Sequence, residues 1–309
     1  RRSKAAAISS REHPSAGRFG HGGGGGHGIA DVVRRPRRGG RRPARAVPVP
    51  SSWRAVLVIL AGAALSAGPG DASAGDTYLR AGVAAERLEQ AVFMDRDCAS
   101  TAPAALYGCG RGGDGAPLRS VGRFGTAGAV ELGIGRVASP AVRLEAVAEY
   151  RPRVAFEGRA NFLEPGRRQS VAADLSSLSA MAAVYVDLPG LGAPKVGPFS
   201  PFVGVGAGVA RIRVGETRMR FPRTTTVVPG GARTGAAWMV TAGVSMALGD
   251  RTTLDVAWRY TDLGEVRTGR GEGRVIWRDG SRDPLLLDLA PTRAKLRSRG
   301  LRLSLRHAF

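Results

Sequence analysis

A two-residue alternation of apolar and polar side chains recurs along the C-terminal part of this chain, and it restricts the fold more than any other feature. In TLDVAWRYTDLG, the side chains of Leu254, Val256, Trp258 and Tyr260 share one face of an extended strand, and the residues between them share the other. Similar segments occupy residues 79–86, 121–136, 142–150, 172–188, 201–214, 238–248, 254–260 and 301–309. The pattern predicts an all-β protein with eight long strands.

The connections between these segments alternate strictly between short and long. The short ones are residues 138–141, 189–198 and 249–251, and the long, polar ones are residues 90–120, 159–170, 219–234 and 268–292. This alternation is typical of a barrel that spans the bacterial outer membrane, where closure of the sheet gives every backbone group a partner. We therefore expect an eight-stranded antiparallel transmembrane β-barrel with short periplasmic turns and four longer extracellular loops.

The polar faces of the strands carry charges of both signs. The charged residues on these faces are Arg80, Glu86, Arg123, Glu131, Arg143, Glu145, Asp255, Arg259, Arg302 and Arg306. In a soluble, lipocalin-like binding barrel these side chains would point outward into water, whereas in a membrane barrel they line the lumen. Because the connections favour the membrane barrel, we expect these charges to pair across the lumen.

The first quarter of the chain has a different composition. Residues 1–74 contribute +10 of the formal net charge of +21. Residues 1–50 are rich in Gly, Arg and Pro, which predicts a disordered basic leader or a misassigned extension, with a basic RNA-binding arm as the alternative. Residues 51–74 combine a basic flank, a short apolar run and small residues at Ala72 and Ala74, which predicts a signal peptide cleaved after Ala74 rather than a membrane anchor. Residues 75–309 then form the barrel, and no nucleic-acid partner is expected.

The barrel sequence resembles the opacity-type surface proteins and the OmpA-like transmembrane barrel, an eight-stranded outer-membrane family often labelled "porin family". The signal peptide, the PFVGVGAGVAR strand, the WRYTDLG strand and the terminal LRHAF carry the resemblance. It implies that Leu301, Leu303, Leu305 and Phe309 form the signal read by the outer-membrane insertion machinery. The chain stops at the eighth strand, so we expect no peptidoglycan-binding domain, and His307 stands where the family usually has a larger apolar or aromatic residue.

Few residues offer catalytic or metal chemistry. Cys98 and Cys109 are the two cysteines, and their place in one predicted extracellular loop favours a disulfide over two free thiols. The expected mature chain has one histidine, His307, at the periplasmic end, and its acidic residues lie among arginines. We therefore expect no catalytic residue, no metal and no cofactor.

These features predict a non-enzymatic surface protein of the outer membrane, with a structural role in membrane integrity and interactions made by its loops. A narrow, anion-favouring pore is the alternative. Outer-membrane lipid and lipopolysaccharide are the expected partners, because the loops are rich in arginine, with solvated loop charge as the alternative interpretation. These arginines are Arg111, Arg167, Arg168, Arg218, Arg220, Arg223, Arg233, Arg267, Arg270, Arg274, Arg278 and Arg282. Interfacial aromatic girdles are expected at Tyr78, Phe199, Phe202, Trp238, Trp258, Tyr260 and Phe309.

Overall fold

The computed structural model describes residues 77–95 and 110–309. Three expectations fall outside this part of the chain: the basic leader at 1–50, the signal peptide at 51–74 with Ala72 and Ala74, and the disulfide between Cys98 and Cys109.

The described residues form fourteen strands and one short 3-10 helix. The strands are β1 (Thr77–Leu88), β2 (Ala91–Phe93), β3 (Ser120–Phe124), β4 (Thr126–Ser139), β5 (Val142–Ala160), β6 (Ser170–Asp187), β7 (Phe199–Val214), β8 (Thr217–Arg220), β9 (Thr224–Val228), β10 (Gly231–Ala247), β11 (Thr252–Arg267), β12 (Gly271–Trp277), β13 (Leu285–Leu289) and β14 (Arg293–Ala308). The helix, Leu188–Leu191, lies in the connection between β6 and β7. Within the described residues, no helix has the length and apolar character needed to cross a membrane.

Eight of these strands close into a ring in the order β1, β4, β5, β6, β7, β10, β11 and β14. All neighbours are antiparallel, and β14 returns to β1 with Leu79 opposite His307. The short connections join β4 to β5, β6 to β7 and β10 to β11, so they lie at the same end of the ring as Thr77 and Ala308. The predicted eight-stranded barrel is confirmed, and its closure leaves the ring without an open edge.

The wall is apolar outside and polar inside. On β14, Leu301 is 62% exposed whereas the next residue, Arg302, is 2% exposed. The alternate glycines of β7 point inward, and an added Cβ at Gly204 would lie 2.5 Å from the ring of Tyr185. These glycines therefore make room inside a narrow barrel, and the ladders on both sides of β7 run through them without a bulge.

The end with the long connections carries β2, β8, β9, β12 and β13, which the sequence pattern did not reveal, and β3, which belongs to the segment predicted at 121–136. Strands β2 and β3 pair with each other, as do β8 with β9 and β12 with β13. These pairs continue the barrel wall, because β3 pairs with β5 and β8 pairs with β6 beyond the eight-stranded ring. Three of the four regions predicted as loops are therefore partly built as sheet.

The interior has two layers. The half nearer the short turns is charged, and the half nearer the long connections is filled by apolar side chains such as Phe93, Phe124 and Phe156. The ring centroids of Phe93 and Phe124 each lie 5.1 Å from that of Phe156.

Two residues expected in the aromatic girdles lie inside the barrel instead: Tyr78 is 2% exposed and Phe202 is 1% exposed. Their placement on the membrane interface was wrong because they share the inward phase of Arg80 and Gly204.

The other expected girdle residues lie on the outer surface. Phe199, Trp238, Trp258 and Phe309 are exposed, and Tyr260 is partly exposed beside Trp238, with ring centroids 5.5 Å apart.

Candidate functional site

The charged layer of the lumen is the densest cluster of ionisable side chains in the described part of the chain. We call it the lumen network. It joins six arginines to six carboxylates, namely Arg80, Arg143, Arg151, Arg259, Arg302 and Arg306 with Glu86, Glu131, Glu145, Glu149, Asp187 and Asp255. The formal charge of the network is therefore balanced. Its members come from β1, β4, β5, β6, β11 and β14, and the inward phase of each strand brings them together.

Arg80 on β1 contacts acids on β4 and β5 and a tyrosine on β6. Its Nη2 lies 3.0 Å from Glu131 Oε1, and its Nη1 lies 2.9 Å from Glu145 Oε2. The same Nη1 donates a hydrogen bond of 3.2 Å to the hydroxyl of Tyr185. Both terminal nitrogens of the guanidinium group thus contact a carboxylate inside the wall, whereas its Nε has no hydrogen-bond partner among the described residues.

Arg302 on β14 occupies the middle of the network. It pairs with Glu86, Glu131 and Glu149, and its Nη1 lies 2.9 Å from Glu131 Oε2. The side chain of Arg302 is 1% exposed, and those of its three partners are at most 5% exposed. Because three strands contribute acids to one arginine, Arg302 ties β1, β4 and β5 to the last strand.

Arg259 and Arg151 extend the network on either side. Arg259 Nη1 lies 3.1 Å from Glu131 Oε2 and 3.4 Å from Glu149 Oε2. Arg151 Nε lies 2.7 Å from Glu86 Oε2, and Arg151 also pairs with Glu149. The guanidinium groups therefore lie among neighbouring carboxylates, and their attraction offsets the repulsion between adjacent buried acids.

Two bidentate pairs close the network toward the short turns. Arg143 donates to both oxygens of Asp187 at 2.7 and 2.9 Å, and Arg306 donates to both oxygens of Asp255 at 2.7 and 3.0 Å. Planar forks of this kind are the strongest ordinary charge-assisted contacts.

Aromatic side chains hold these two arginines in place. The guanidinium carbon of Arg143 lies 5.1 Å from the ring centroids of both Tyr185 and Phe202, and that of Arg306 lies 5.3 Å from the ring centroid of Tyr78. The hydroxyl of Tyr78 donates to Glu145 at 2.6 Å. The inward aromatics thus replace water around the charges.

Nine of the ten charges expected in the lumen lie inside the barrel. Arg80, Glu86, Glu131, Arg143, Glu145, Asp255, Arg259 and Arg302 are buried, and Arg306 is partly buried.

Arg123 is the exception, because it is exposed on the outer face of β3 opposite Glu157. The expectation was wrong because Gly125 and Thr126 are both exposed at the junction of β3 and β4, which shifts the alternation by one residue.

Three further charged residues, Glu149, Arg151 and Asp187, join the network together with the hydroxyl of Tyr185, and none of the four was named among the expected lumen residues. The signal for Tyr185 was present, since it shares the phase of Ser177 and Ser179, both buried, on β6. Asp187 follows two residues later on the same phase.

The remaining predicted residues lie on the surface. Leu301, Leu303, Leu305 and Phe309 are between 48% and 62% exposed on the outer face of the last strand. Ten of the twelve loop arginines are exposed, whereas Arg233 and Arg267 are partly buried. Arg233 lies near the start of β10 and donates a hydrogen bond to Glu265 on β11, so it is a wall residue rather than a loop residue.

His307 is exposed near the short turns, where its Nδ1 lies 3.0 Å from Thr252 Oγ1. Within residues 77–95 and 110–309, no three His, Cys, Asp or Glu side chains are grouped so that they could hold a metal ion.

Comparisons with known proteins agree with this architecture. Residues 57–277 match the family described as the outer membrane protein beta-barrel domain, and the chain belongs to that family. It is a barrel of the bacterial outer membrane, so the short turns are periplasmic and the long connections are extracellular. A search of curated proteins found no match.

Several solved structures are similar to this chain. OprG from Pseudomonas aeruginosa is 14% identical, with 76% of this chain and 97% of that chain covered and a TM-score of 0.43. Neisserial surface protein A is 14% identical, with 75% and 97% covered and a TM-score of 0.36. The outer membrane protease OmpT from Escherichia coli is 5% identical, with 79% and 100% covered and a TM-score of 0.33.

Proposed function

We propose that the protein is a non-enzymatic, non-conducting barrel that reinforces the outer membrane and presents extracellular loops for surface interactions. The balanced lumen network of six arginines and six carboxylates carries this proposal. Eight strands leave a lumen that side chains largely fill, and here those side chains bind one another rather than a passing solute.

The same network argues against a narrow anion-favouring pore. Such a pore needs arginines that face a gap without a carboxylate partner, yet every arginine of the network contacts a carboxylate. On the extracellular side of the network, the apolar layer encloses a cavity of about 10 Å³ between Phe93, Phe156 and Val171. That volume is roughly what a single water molecule needs. A continuous aqueous path would therefore have to displace both layers.

The non-enzymatic part of the proposal rests on the same contacts. A general base or nucleophile needs a free acceptor beside a substrate-sized space. The lumen carboxylates are occupied by arginines, and His307 faces the exterior beside Thr252.

A soluble, lipocalin-like barrel would have the opposite polarity. Its apolar side chains would face a ligand cavity, whereas here Leu301 and Val83 are exposed outside and Arg302 and Glu86 are buried inside.

The proposal includes a route to the membrane and a role for the loops. Residues 51–74 act as the signal peptide, and the outward Leu301, Leu303, Leu305 and Phe309 engage the insertion machinery. Cys98 and Cys109 form a disulfide in the first extracellular loop. The exposed loop arginines give the extracellular end a positive surface that suits anionic partners.

Release of small solutes from loaded liposomes tests whether the lumen is closed. Liposomes loaded with a small anion such as chloride, or with a small sugar, and reconstituted with protein purified from outer membranes should leak no faster than protein-free liposomes. A porin serves as the positive control. Rapid anion release through the wild-type protein would favour the pore.

A further inference from the structure

The outer wall changes abruptly from apolar to basic at the extracellular edge of its lipid-facing band. On β14 the outward residues are Leu305, Leu303 and Leu301, followed by Arg299. On β1, Ala85 is followed by Arg87 with the same outward phase. From 301 to 309 the strand has the ~9–11 residues that cross a bilayer. Arg299 and Arg87 thus lie where lipid chains end and headgroups begin.

Arg87 and Arg299 are directly opposite each other in the β1–β14 ladder. Both are exposed, and neither makes a side-chain hydrogen bond or ion pair with any residue in the described ranges. Like charges at directly opposed positions destabilise a sheet. Two other basic residues near this edge are compensated: Arg297 lies 3.0 Å from Asp262, and Arg153 lies 2.8 Å from Asp174. Arg211 and Arg213 on β7 are exposed as well, but Thr234 and Ala232 on β10 lie opposite them rather than another cation. Arg87 and Arg299 therefore place two unpaired cations at directly opposed positions of the wall.

The neighbours of the pair complete a row across four strands. Thr126 on β4 is opposite Arg87, and Tyr260 on β11 is opposite Arg299. Tyr260 contacts Trp238, an aromatic pair of the kind found at membrane interfaces. One step toward the membrane centre, Ala85, Leu301 and Trp258 form an exposed apolar row. One row of the wall thus offers two cations and two hydroxyl groups, and the next row toward the membrane centre offers an apolar surface. This arrangement matches the phosphorylated headgroup and the acyl chains of a lipid.

We propose that Arg87 and Arg299 bind a phosphate of the phosphorylated glycolipid that forms the outer leaflet, lipopolysaccharide. The extracellular position of the row selects the outer leaflet, and the phosphate supplies the negative charge that the opposed arginines lack. The acyl chains of the same molecule cover Leu301 and Trp258. This site lies outside the barrel and does not depend on whether the lumen is closed.

The test uses the full protein purified from outer membranes, stripped of lipid and placed in phosphatidylcholine nanodiscs. Binding of bisphosphorylated lipid A is titrated by native mass spectrometry. Replacing both arginines with Gln (Arg87→Gln with Arg299→Gln) should weaken binding roughly tenfold or more, since charge-assisted contacts to phosphate are lost. The matched control, Lys195→Gln with Arg251→Gln, removes two exposed charges at the periplasmic end and should change binding by less than about twofold, because the ~8 Å Debye length screens distant charges.

Lipid A without phosphates and inorganic phosphate alone identify the ligand. Wild-type protein should bind phosphate-free lipid A about as weakly as the double variant binds intact lipid A, and millimolar inorganic phosphate should not displace the lipid. Equal binding of intact lipid A by wild type and double variant, or equal binding of lipid A with and without phosphates, overturns the site. Displacement by inorganic phosphate identifies a free-anion site and overturns the lipid assignment.

A second variant separates binding from folding. Arg87→Glu places opposite charges across the ladder, so the heat-induced unfolding of this variant in zwitterionic detergent should occur at or above the wild-type temperature while lipid A binding falls. A variant that unfolds like wild type and still binds lipid A at full affinity contradicts the proposal.

Discussion

Arg259 on β11 and Glu131 on β4 are joined inside the barrel at 3.1 Å although 128 residues separate them in sequence. Their strands are not neighbours, because β14 and β1 lie between them in the ring. The contact therefore bridges the interior rather than following a ladder. Together with the contacts of Arg302, it makes the lumen charges an interdependent network. Removal of any one charge would leave its buried partners unpaired and destabilise the barrel.

Replacing Arg302 with alanine should destabilise the barrel. Glu86, Glu131 and Glu149 would each lose a buried partner, and breaking a buried pair costs roughly 3–5 kcal/mol. The heat-induced gel shift of the folded barrel measures the effect. Arg251→Ala removes an exposed arginine at the periplasmic end and should change stability by at most ~0.5 kcal/mol. Equal midpoints for the two variants would show that the network does not hold the barrel together.

Gly208→Ala should impair folding of the barrel. A Cβ at Gly208 would lie 2.0 Å from the carbonyl oxygen of Ala180 on the adjacent strand, whereas a Cβ at Gly235 would meet no atom within 4 Å. Overpacking costs roughly 1–3 kcal/mol, so Gly208→Ala should lower the unfolding midpoint and Gly235→Ala should not. Urea titration of both variants in the same detergent makes the comparison. A tolerated Gly208→Ala would mean that β6 and β7 lie farther apart than the structure shows.

Val83→Arg should be far more harmful than Val92→Arg. Val83 is 55% exposed between Val130 and Leu303 in the lipid-facing band, while Val92 is exposed on the extracellular β2. An arginine near the bilayer midplane of a barrel costs about 2–4 kcal/mol, and the cost falls toward zero outside the band. Folding yield into phosphatidylcholine vesicles, read from the gel shift, reports the difference. Indistinguishable yields would contradict the assigned orientation of the wall.

Cys98 and Cys109 should resist alkylation in the purified protein until a reductant is added. In the chain-entropy model, a disulfide that closes so short a loop contributes roughly 3 kcal/mol, so a reductant should also increase proteolysis of the first extracellular loop. Mass spectrometry after maleimide treatment counts the modified thiols. Two labelled cysteines without a reductant would establish free thiols instead.

Local patterns in the sequence were sufficient to predict the ring of eight strands, because strand period and connection length are read residue by residue. The exceptions have local physical causes. A single extra outward residue at Gly125 and Thr126 reversed the phase of Arg123. Tyr78 was assigned to the interface by residue type, although it shares the phase of Arg80.

The sequence pattern could not predict which charged residues pair inside the lumen. Alternation indicates that Arg259 and Glu131 point inward, but their contact depends on how the strands are staggered around the closed ring, which the pattern does not specify. The short strands β8 and β12 escaped notice for a related reason, since their partners β6 and β9 become apparent only in the folded wall.

Paired charges and apolar side chains are proposed to close the lumen, and single-channel recording in planar lipid bilayers is the decisive experiment. The wild-type protein should insert without producing discrete conductance steps, and Arg302→Ala should produce small, unstable openings where it inserts. Large, stable, anion-selective steps from the wild-type protein would rule out a closed lumen and establish a pore.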